Sequence, residues 1–549
     1  MKMTTRGRRR RGCVIGVVAA VASAAPAQTT GPSSSESPYL LPVALGVETV
    51  SLLTVGDTPR GSAYRLVGIP DGMGAHDNGN GTFTILLNHE LTTSSGVTRA
   101  HGGRGAFVSR WIVDASTFEL IAGEDLIREV FIWNATTQAY EQSFAERFSR
   151  FCSGDLPAES AFYNAATGLG TRALIYTNGE ETGSEGRAFA HIAGGPNAGR
   201  SFDLPRCGKL SFENAVAAPL AGDVTVVVGL DDVTGGQVYV YVGRKTDTGN
   251  EIEKAGLSNG SLFGVAVDGL PAEIPANGLG GPTSLPFQLH KFGDVSAWSG
   301  SQLHIESVLN GVTAFLRPED GHWDPRRAGN FYWCTTGASG GPGRLWRLRF
   351  DDILDPAAGG TIEMLLDGTE GVVKPDNLTV TSTGHVLIQE DPSSSTRLAR
   401  IWLYDIAADS VTTVAEHDFE IFHPNGSRFL TRNEESSGII DARGILGDGW
   451  FLCDVQAHVS AGDPELVERG QLLALFIPQA AYRRGDLNCD GDVNAGDISP
   501  FFLALVVPSR YASTFPDCEP SLADLNADGH VDGADIDVFF SCLGGGGCP

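Results

Sequence analysis

Val224-Thr-Val-Val-Val228 and Val238-Tyr-Val-Tyr-Val242 flank the turn-forming run Gly229-Leu-Asp-Asp-Val-Thr-Gly-Gly236. β-branched and aromatic residues suit a pleated, buried surface, whereas Gly, Asp and Thr between such runs favour reversal of the chain. The stretch predicts an antiparallel hairpin. Short apolar runs of the same kind recur outward from it, at residues 83–87, 173–176, 345–350, 386–388 and 401–404, separated by clusters of Gly, Asp, Asn and Ser. From Leu45 to about Pro478 no helical periodicity is sustained, so this region is expected to be mainly β. A stacked pair of sheets is the competing arrangement. Over 400 residues of continuous meander favour closed radial repetition, a β-propeller, because closure removes exposed sheet edges.

The 549 residues exceed one ordinary core and predict a large domain with at least one smaller one. With 42% hydrophobic residues, 19% charged residues, 70 glycines and 28 prolines, the composition is that of a folded chain that turns often. The net charge of −27 disfavours nucleic acid and anionic lipid as partners and suits a protein that binds divalent cations.

Residues 1–27 read as an export signal. Arg6 and Arg8 to Arg11 form its charged region, residues 13–21 its apolar region and Ala25-Pro-Ala27 a cleavage site. A secreted, extracellular or periplasmic protein without a membrane span in the mature chain is expected, since no other apolar run approaches ~20 residues. Cys489, Cys518, Cys542 and Cys548 crowd the C-terminal end and predict disulfides there, while Cys152, Cys207, Cys334 and Cys453 are each expected to be paired, buried or a ligand.

The pattern changes near Arg483-Arg484-Gly485, which divides an expected propeller at 28–482 from a tail at 483–549. In the tail, Asp486, Asn488, Asp490, Asp492, Asn494 and Asp497 stand at the spacing of a calcium-wrapping EF-hand-like loop, with Gly491 at its turn. Asp524, Asn526, Asp528, His530, Asp532 and Asp535 repeat the spacing 38 residues later, and each copy precedes a helix-compatible run. The duplication, with Asp at the twelfth position, resembles the dockerin type I module. That resemblance implies a small α-helical double EF-hand-like domain that binds Ca²⁺ and docks onto a cohesin-like protein.

Acidic motifs in the large domain gather at predicted strand ends: Asn88-His-Glu90, Gly179-Glu-Glu181, Phe212-Glu-Asn214, Leu230-Asp-Asp232 and Glu390-Asp391. In a propeller such ends converge on one mouth of the axial channel. Arg317-Pro-Glu319-Asp320 adds a planar fork for oxyanions beside two hard oxygen ligands.

These pieces, with Cys152-Ser-Gly and Pro375-Asp-Asn-Leu378, occur in the order found in the alkaline phosphatase PhoX family, which the region from Leu45 to Val459 resembles. The resemblance implies a decorated six-bladed propeller whose mouth holds two ferric and three calcium ions around a bridging oxo group and cleaves phosphate monoesters. By position, Glu90, Cys152, Glu180, Glu213, Glu319, Asp320 and Glu390 would be metal ligands. Arg317 would hold the substrate phosphate, with Glu319 and Asp320 beside it in the catalytic group. Cys152 lies farther from its Glu-Glu pair than the family's cysteine does, which leaves iron ligation by it open against a disulfide or burial. The alternatives to a phosphomonoesterase are a non-catalytic, calcium-stabilised binding module and a related esterase or phytase-like hydrolase.

Overall fold

The computed structural model describes residues 27–273, 284–337, 343–393, 395, 397–489, 493–515, 518–526 and 528–543. The export segment apart from Ala27, and the loop positions Asp490 and Asp492, lie outside the described residues.

The predicted hairpin forms. Val224–Asp231 pairs antiparallel with Val238–Arg244, from Val224 opposite Arg244 to Leu230 opposite Val238. Every residue of Val224–Asp231 is buried. Its alternate side chains serve two different cores: Val226, Val228 and Leu230 pack with Trp333 and Trp346, while Val227 packs with Phe212 and Tyr239. A strand covered on both faces by neighbouring sheets requires such a continuous apolar run, whereas a strand with one wet face would alternate with polar residues.

Six strands line the axis of the β region: Pro70–Asp77, Phe151–Asp155, Phe212–Ala217, Pro318–Trp323, Pro375–Val380 and Glu434–Asp441. Each touches the next, and the last touches the first, so they close a ring. A meander runs outward from each. The unit beginning at Pro70–Asp77 continues through Thr82–His89, Phe107–Asp114 and Leu120–Asp125. Two neighbouring units join at their outer strands, Leu285–Gly293 with Gly360–Leu366, into one nine-stranded sheet whose end strands Phe212–Ala217 and Pro318–Trp323 touch. This sheet is therefore nearly closed on itself.

The ring is sealed by distant parts of the chain. Glu48–Thr54 pairs antiparallel with Glu468–Phe476, Glu48 facing Phe476 and Thr54 facing Gln471. An N-terminal strand thus completes the sheet of the last unit, so chain ends far apart in sequence are joined across one ladder. The fold is mainly β and propeller-like.

Residues 487–543 carry a separate apolar core in which Phe501 stacks on Phe539 at 4.2 Å beside Leu487, Tyr511 and Leu525. The helices Ile498–Val506 and Asp535–Ser541 follow the two acidic loops. Those loops are built alike. Asp497 accepts hydrogen bonds from the amides of Leu487, Asn488 and Asn494, and Asp535 accepts the equivalent three from Leu525, Asn526 and Asp532. A disulfide joins Cys489 to Cys518, whereas Cys152, Cys207, Cys334 and Cys453 are buried and free.

Candidate functional site

Five of the six inner strands share a bulge at one level. Their first residues pair with the last residue of the following strand: Pro70 with His89, Phe151 with Glu180, Phe212 with Asp231, Pro318 with Thr335 and Pro375 with Glu390. The ladder then resumes three residues along the inner strand but two along its partner, leaving one residue extra. The second residues of these strands are Asp71, Cys152, Glu213, Glu319 and Asp376, and Glu435 stands second in the sixth strand. All six line one cavity of about 210 Å³ at the mouth of the ring.

A second tier comes from the residue that follows each of those paired ends: Glu90, Glu181, Asp232, Thr336 and Asp391, with His458 after Ala457 in the sixth unit. All but Thr336 line the same cavity. Thr336 Oγ1 instead donates to Glu319 Oε1. A third tier precedes the inner strands. Arg150 and Arg317, both at the rim, adopt φ of 47° and 62°, a left-handed conformation that non-glycine residues rarely take.

The donors fall into four groups whose ligand atoms lie within 4.8 Å of one another: Asp71, Glu90 and Cys152; Cys152, Glu181 and Glu213; Glu213, Asp232 and Glu319; and Asp376, Asp391 and Glu435. Among the described residues, nine carboxylates line the cavity against two arginines and His458. Burial, reinforced by neighbouring carboxylates, pushes the carboxyls of Asp71, Glu213, Glu319 and Asp376 well above their usual range. Burial carries Glu181 to about 8, although Arg150 opposes the shift. Such a cluster is uncompensated as it stands, and bound cations would ionise it. Two of the groups offer only hard oxygen donors and two add the Cys152 sulfur, so the residues present fit metal ions.

The arginines each hold two carboxylates. Arg317 Nε and Nη2 donate to the two oxygens of Asp232 at 2.7 and 2.8 Å, and Nη2 also lies 3.1 Å from Glu319. Arg150 Nε donates to Glu90 at 2.6 Å and its Nη2 pairs with Glu181. His458 lies between Glu435 and Glu468, at 3.4 and 2.8 Å; burial opposes its charge, but these two partners raise its pKa to about 11.

Beneath the ligand tier lies a layer of small polar side chains. Ser153 Oγ donates to Glu213 at 2.5 Å, Asn377 reaches across to Ser153 at 2.8 Å, and Asn214 donates to Asp320 at 2.7 Å. Farther out, His191 Nε2 meets Asn178 Oδ1, Asn178 donates to Asn88, and Asn88 donates to the carbonyl oxygens of Cys152 and Ser153. These bonds fix the bulge that presents Cys152.

Of the residues expected from sequence, Glu90, Cys152, Glu213, Arg317 and Glu319 come together in the cavity, and Glu180, Asp320 and Glu390 do not line it. Glu180 and Glu390 still belong to the ladder, so they point into the sheet units rather than the channel. Glu180 accepts from Arg187 at 2.8 Å, and Glu390 from Arg397 at 2.6 Å and Trp402 at 2.9 Å. Their successors Glu181 and Asp391 take the cavity positions. Asp320, third in its strand, drops to the lower polar layer and also accepts the amides of Gly321 and Leu378. Asp71, Arg150, Asp232, Asp376 and Glu435 also line the cavity and stand outside the expected site set. A proline followed by an acid marks three of the ligand positions, at Pro70-Asp71, Pro318-Glu319 and Pro375-Asp376, and would have pointed to Asp71.

No protein-family model matches the chain, and comparison with curated proteins finds no match. Among solved structures, Pseudomonas fluorescens PhoX in complex with vanadate, a transition state analogue, aligns with a TM-score of 0.51 and 14% identity, covering 81% of this chain and 99% of that one. XC5397 from Xanthomonas campestris, a gluconolactonase, aligns with a TM-score of 0.28 and 10% identity over 75% of this chain and 96% of its own. The first likeness shows a common propeller-like fold.

Proposed function

We propose that this chain is a secreted, metal-dependent phosphomonoesterase on a six-bladed propeller, carrying a calcium-binding, dockerin-like tail that tethers it to a cohesin-like protein. The observation that carries the reading is the arginine fork of Arg317 held on Asp232 and Glu319 of one donor group, in a cavity lined by all four groups on a PhoX-like fold. The oxygen-only groups, Glu213, Asp232 and Glu319 and Asp376, Asp391 and Glu435, suit Ca²⁺; the two that include Cys152 suit Fe³⁺. Cations bound there would supply positive charge to the phosphoryl oxygens and lower the pKa of an attacking water.

The protein's own contribution is positioning. Arg317 offers a planar pair of donors to two oxygens of a phosphate, which holds the ester in one orientation. Thr336 and Ser153 fix the rotamers of Glu319 and Glu213 through hydrogen bonds to one carboxylate oxygen of each. The bulges place these carboxylates on strands rather than on loops, so their spacing is set by the sheet. In the tail, Asp486, Asn488, Asp490, Asp492, Asn494 and Asp497, with Asp524, Asn526, Asp528, His530, Asp532 and Asp535, form the two calcium loops of this reading.

The test uses purified full-length protein, elemental analysis and p-nitrophenyl phosphate. Calcium with iron at the propeller, and turnover abolished by Arg317→Ala, support the proposal. Bound calcium without turnover of any phosphomonoester overturns it and leaves a calcium-stabilised binding module.

A further inference from the structure

Arg150 and Arg317 hold corresponding places in two units of the ring, each immediately before an inner strand, and both adopt left-handed backbone. Ile69 and Lys374, which precede two other inner strands, share this conformation, so it belongs to the repeated bulge and serves to set both arginines at one level. Both side chains stand at the rim of the same cavity, 43% and 37% exposed. Each uses Nε and Nη2 on carboxylates of the donor groups. Among the described residues, the hydrogen bonds of both guanidiniums come from Nε and Nη2 and none from Nη1.

Their carboxylate partners differ. Arg150 spans Glu90 and Glu181, which belong to the two donor groups containing Cys152, whereas Arg317 spans Asp232 and Glu319 of one oxygen-only group. The guanidiniums therefore flank Glu213, the residue common to both sides, instead of converging on one point. Cations in the donor groups would take up the carboxylate charge and leave two separate guanidinium forks facing the mouth. Among the described residues, the side chains that line the cavity are charged or polar apart from the Cys152 thiol.

We infer that Arg150 is a second anion clamp and that the site takes a phosphate ester bearing another anionic group, a carboxylate or second phosphate, a few bonds from the ester. Arg317 holds the phosphate that reacts. Arg150 holds the other anion and so selects the substrate. This inference rests on the proposed phosphomonoesterase reading and deepens it.

Two non-hydrolysable ligands of matched chain length test it: propylphosphonate, with one anionic group, and 3-phosphonopropionate, with two. Their affinities are measured by calorimetry on metal-reconstituted full-length protein, Arg150→Gln and Arg317→Gln, after thermal melting has shown each variant folded. The wild type is expected to bind 3-phosphonopropionate about tenfold or more tightly than propylphosphonate, the scale of a charge-assisted paired contact. That ratio should fall close to one in Arg150→Gln and survive in Arg317→Gln, where both affinities drop. Arg150→Lys, keeping charge without the fork, should retain part of it. A wild-type ratio near one, or the full ratio persisting in Arg150→Gln, overturns the second clamp. The binding measurement does not require turnover, so absence of phosphomonoester hydrolysis would sink the activity reading alone, and hydrolysis without the affinity ratio would sink the second clamp alone.

Discussion

Arg317 grips Asp232 with two parallel hydrogen bonds, Nε to Oδ1 at 2.7 Å and Nη2 to Oδ2 at 2.8 Å. The same geometry suits two oxygens of a phosphate. Arg317→Ala is expected to lower kcat/KM for p-nitrophenyl phosphate about 10²- to 10³-fold. Arg317→Lys should recover only a small part, since an ammonium lacks the planar fork. Steady-state kinetics on both variants checks this.

Thr336 occupies the one place in the second tier that lacks a charged side chain or imidazole, and its hydroxyl is spent on Glu319. Removing it should free Glu319 to rotate away from Asp232 and Glu213. Thr336→Ala is expected to weaken cation binding about 10- to 100-fold, as loss of a residue that orients a ligand does. Calorimetric calcium titration of the variant reads the change directly, and Thr336→Ser should restore it.

Gly72 stands where two inner strands meet. A Cβ built there would lie 2.2 Å from the amide nitrogen of Gly154 and 2.3 Å from the Ser153 carbonyl carbon. Because both contacts are backbone, no side chain can yield. Gly72→Ala is expected to destabilise the propeller by about 1–3 kcal/mol, seen as a lower melting temperature.

His191 is buried, receives a hydrogen bond from Ser201 on Nδ1 and presents Nε2 to Asn178 Oδ1, which makes it a neutral imidazole. Burial drives its pKa down to about 3, with a smaller push from His101. The folded state refuses a proton that the unfolded chain accepts near pH 6.5. The stability from this group is therefore complete above about pH 6.5 and is lost as pH falls toward 3, at about 1.4 kcal/mol per pH unit. Denaturant melts at pH 7.5 and 5 should differ by about 2 kcal/mol less in His191→Gln than in the wild type.

The tail loops use Asp497 and Asp535 identically, so their loss should act on the tail alone. In full-length Asp497→Asn/Asp535→Asn, calcium is expected to lose its protection of residues 483–549 against proteolysis while p-nitrophenyl phosphate turnover is retained. Loss of turnover in parallel would show that the tail and the propeller are one functional unit.

The β hairpins and the likeness of the two acidic loops are legible for a local reason. The Val224–Asp231 hairpin is written in adjacent residues, and the spacing of both acidic loops lies within twelve. The ligand set is legible only to within one residue, because sequence does not mark where a ladder ends. Glu180 and Glu181 look alike in the chain, yet one is the last paired residue facing Arg187 and the other the first free residue facing the channel. The same step separates Glu390 from Asp391. Asp320 was misplaced for a related reason: the bulge in Pro318–Trp323 sends Glu319 to the cavity and its neighbour to the layer below. Arg150 carries no local signal, Glu435 stands in the polar run Asn433-Glu-Glu-Ser-Ser-Gly438, and only closure of the ring brings both to the site.

The most direct test of the central claim is the initial rate of p-nitrophenyl phosphate hydrolysis by one preparation, measured as purified, after chelation and after calcium and ferric iron are restored. The account predicts turnover that chelation abolishes and the two cations restore, with restoration failing in Glu213→Gln, whose carboxylate is shared by two donor groups. Turnover indifferent to chelation, or no turnover from protein shown to have its propeller sites filled, would contradict it.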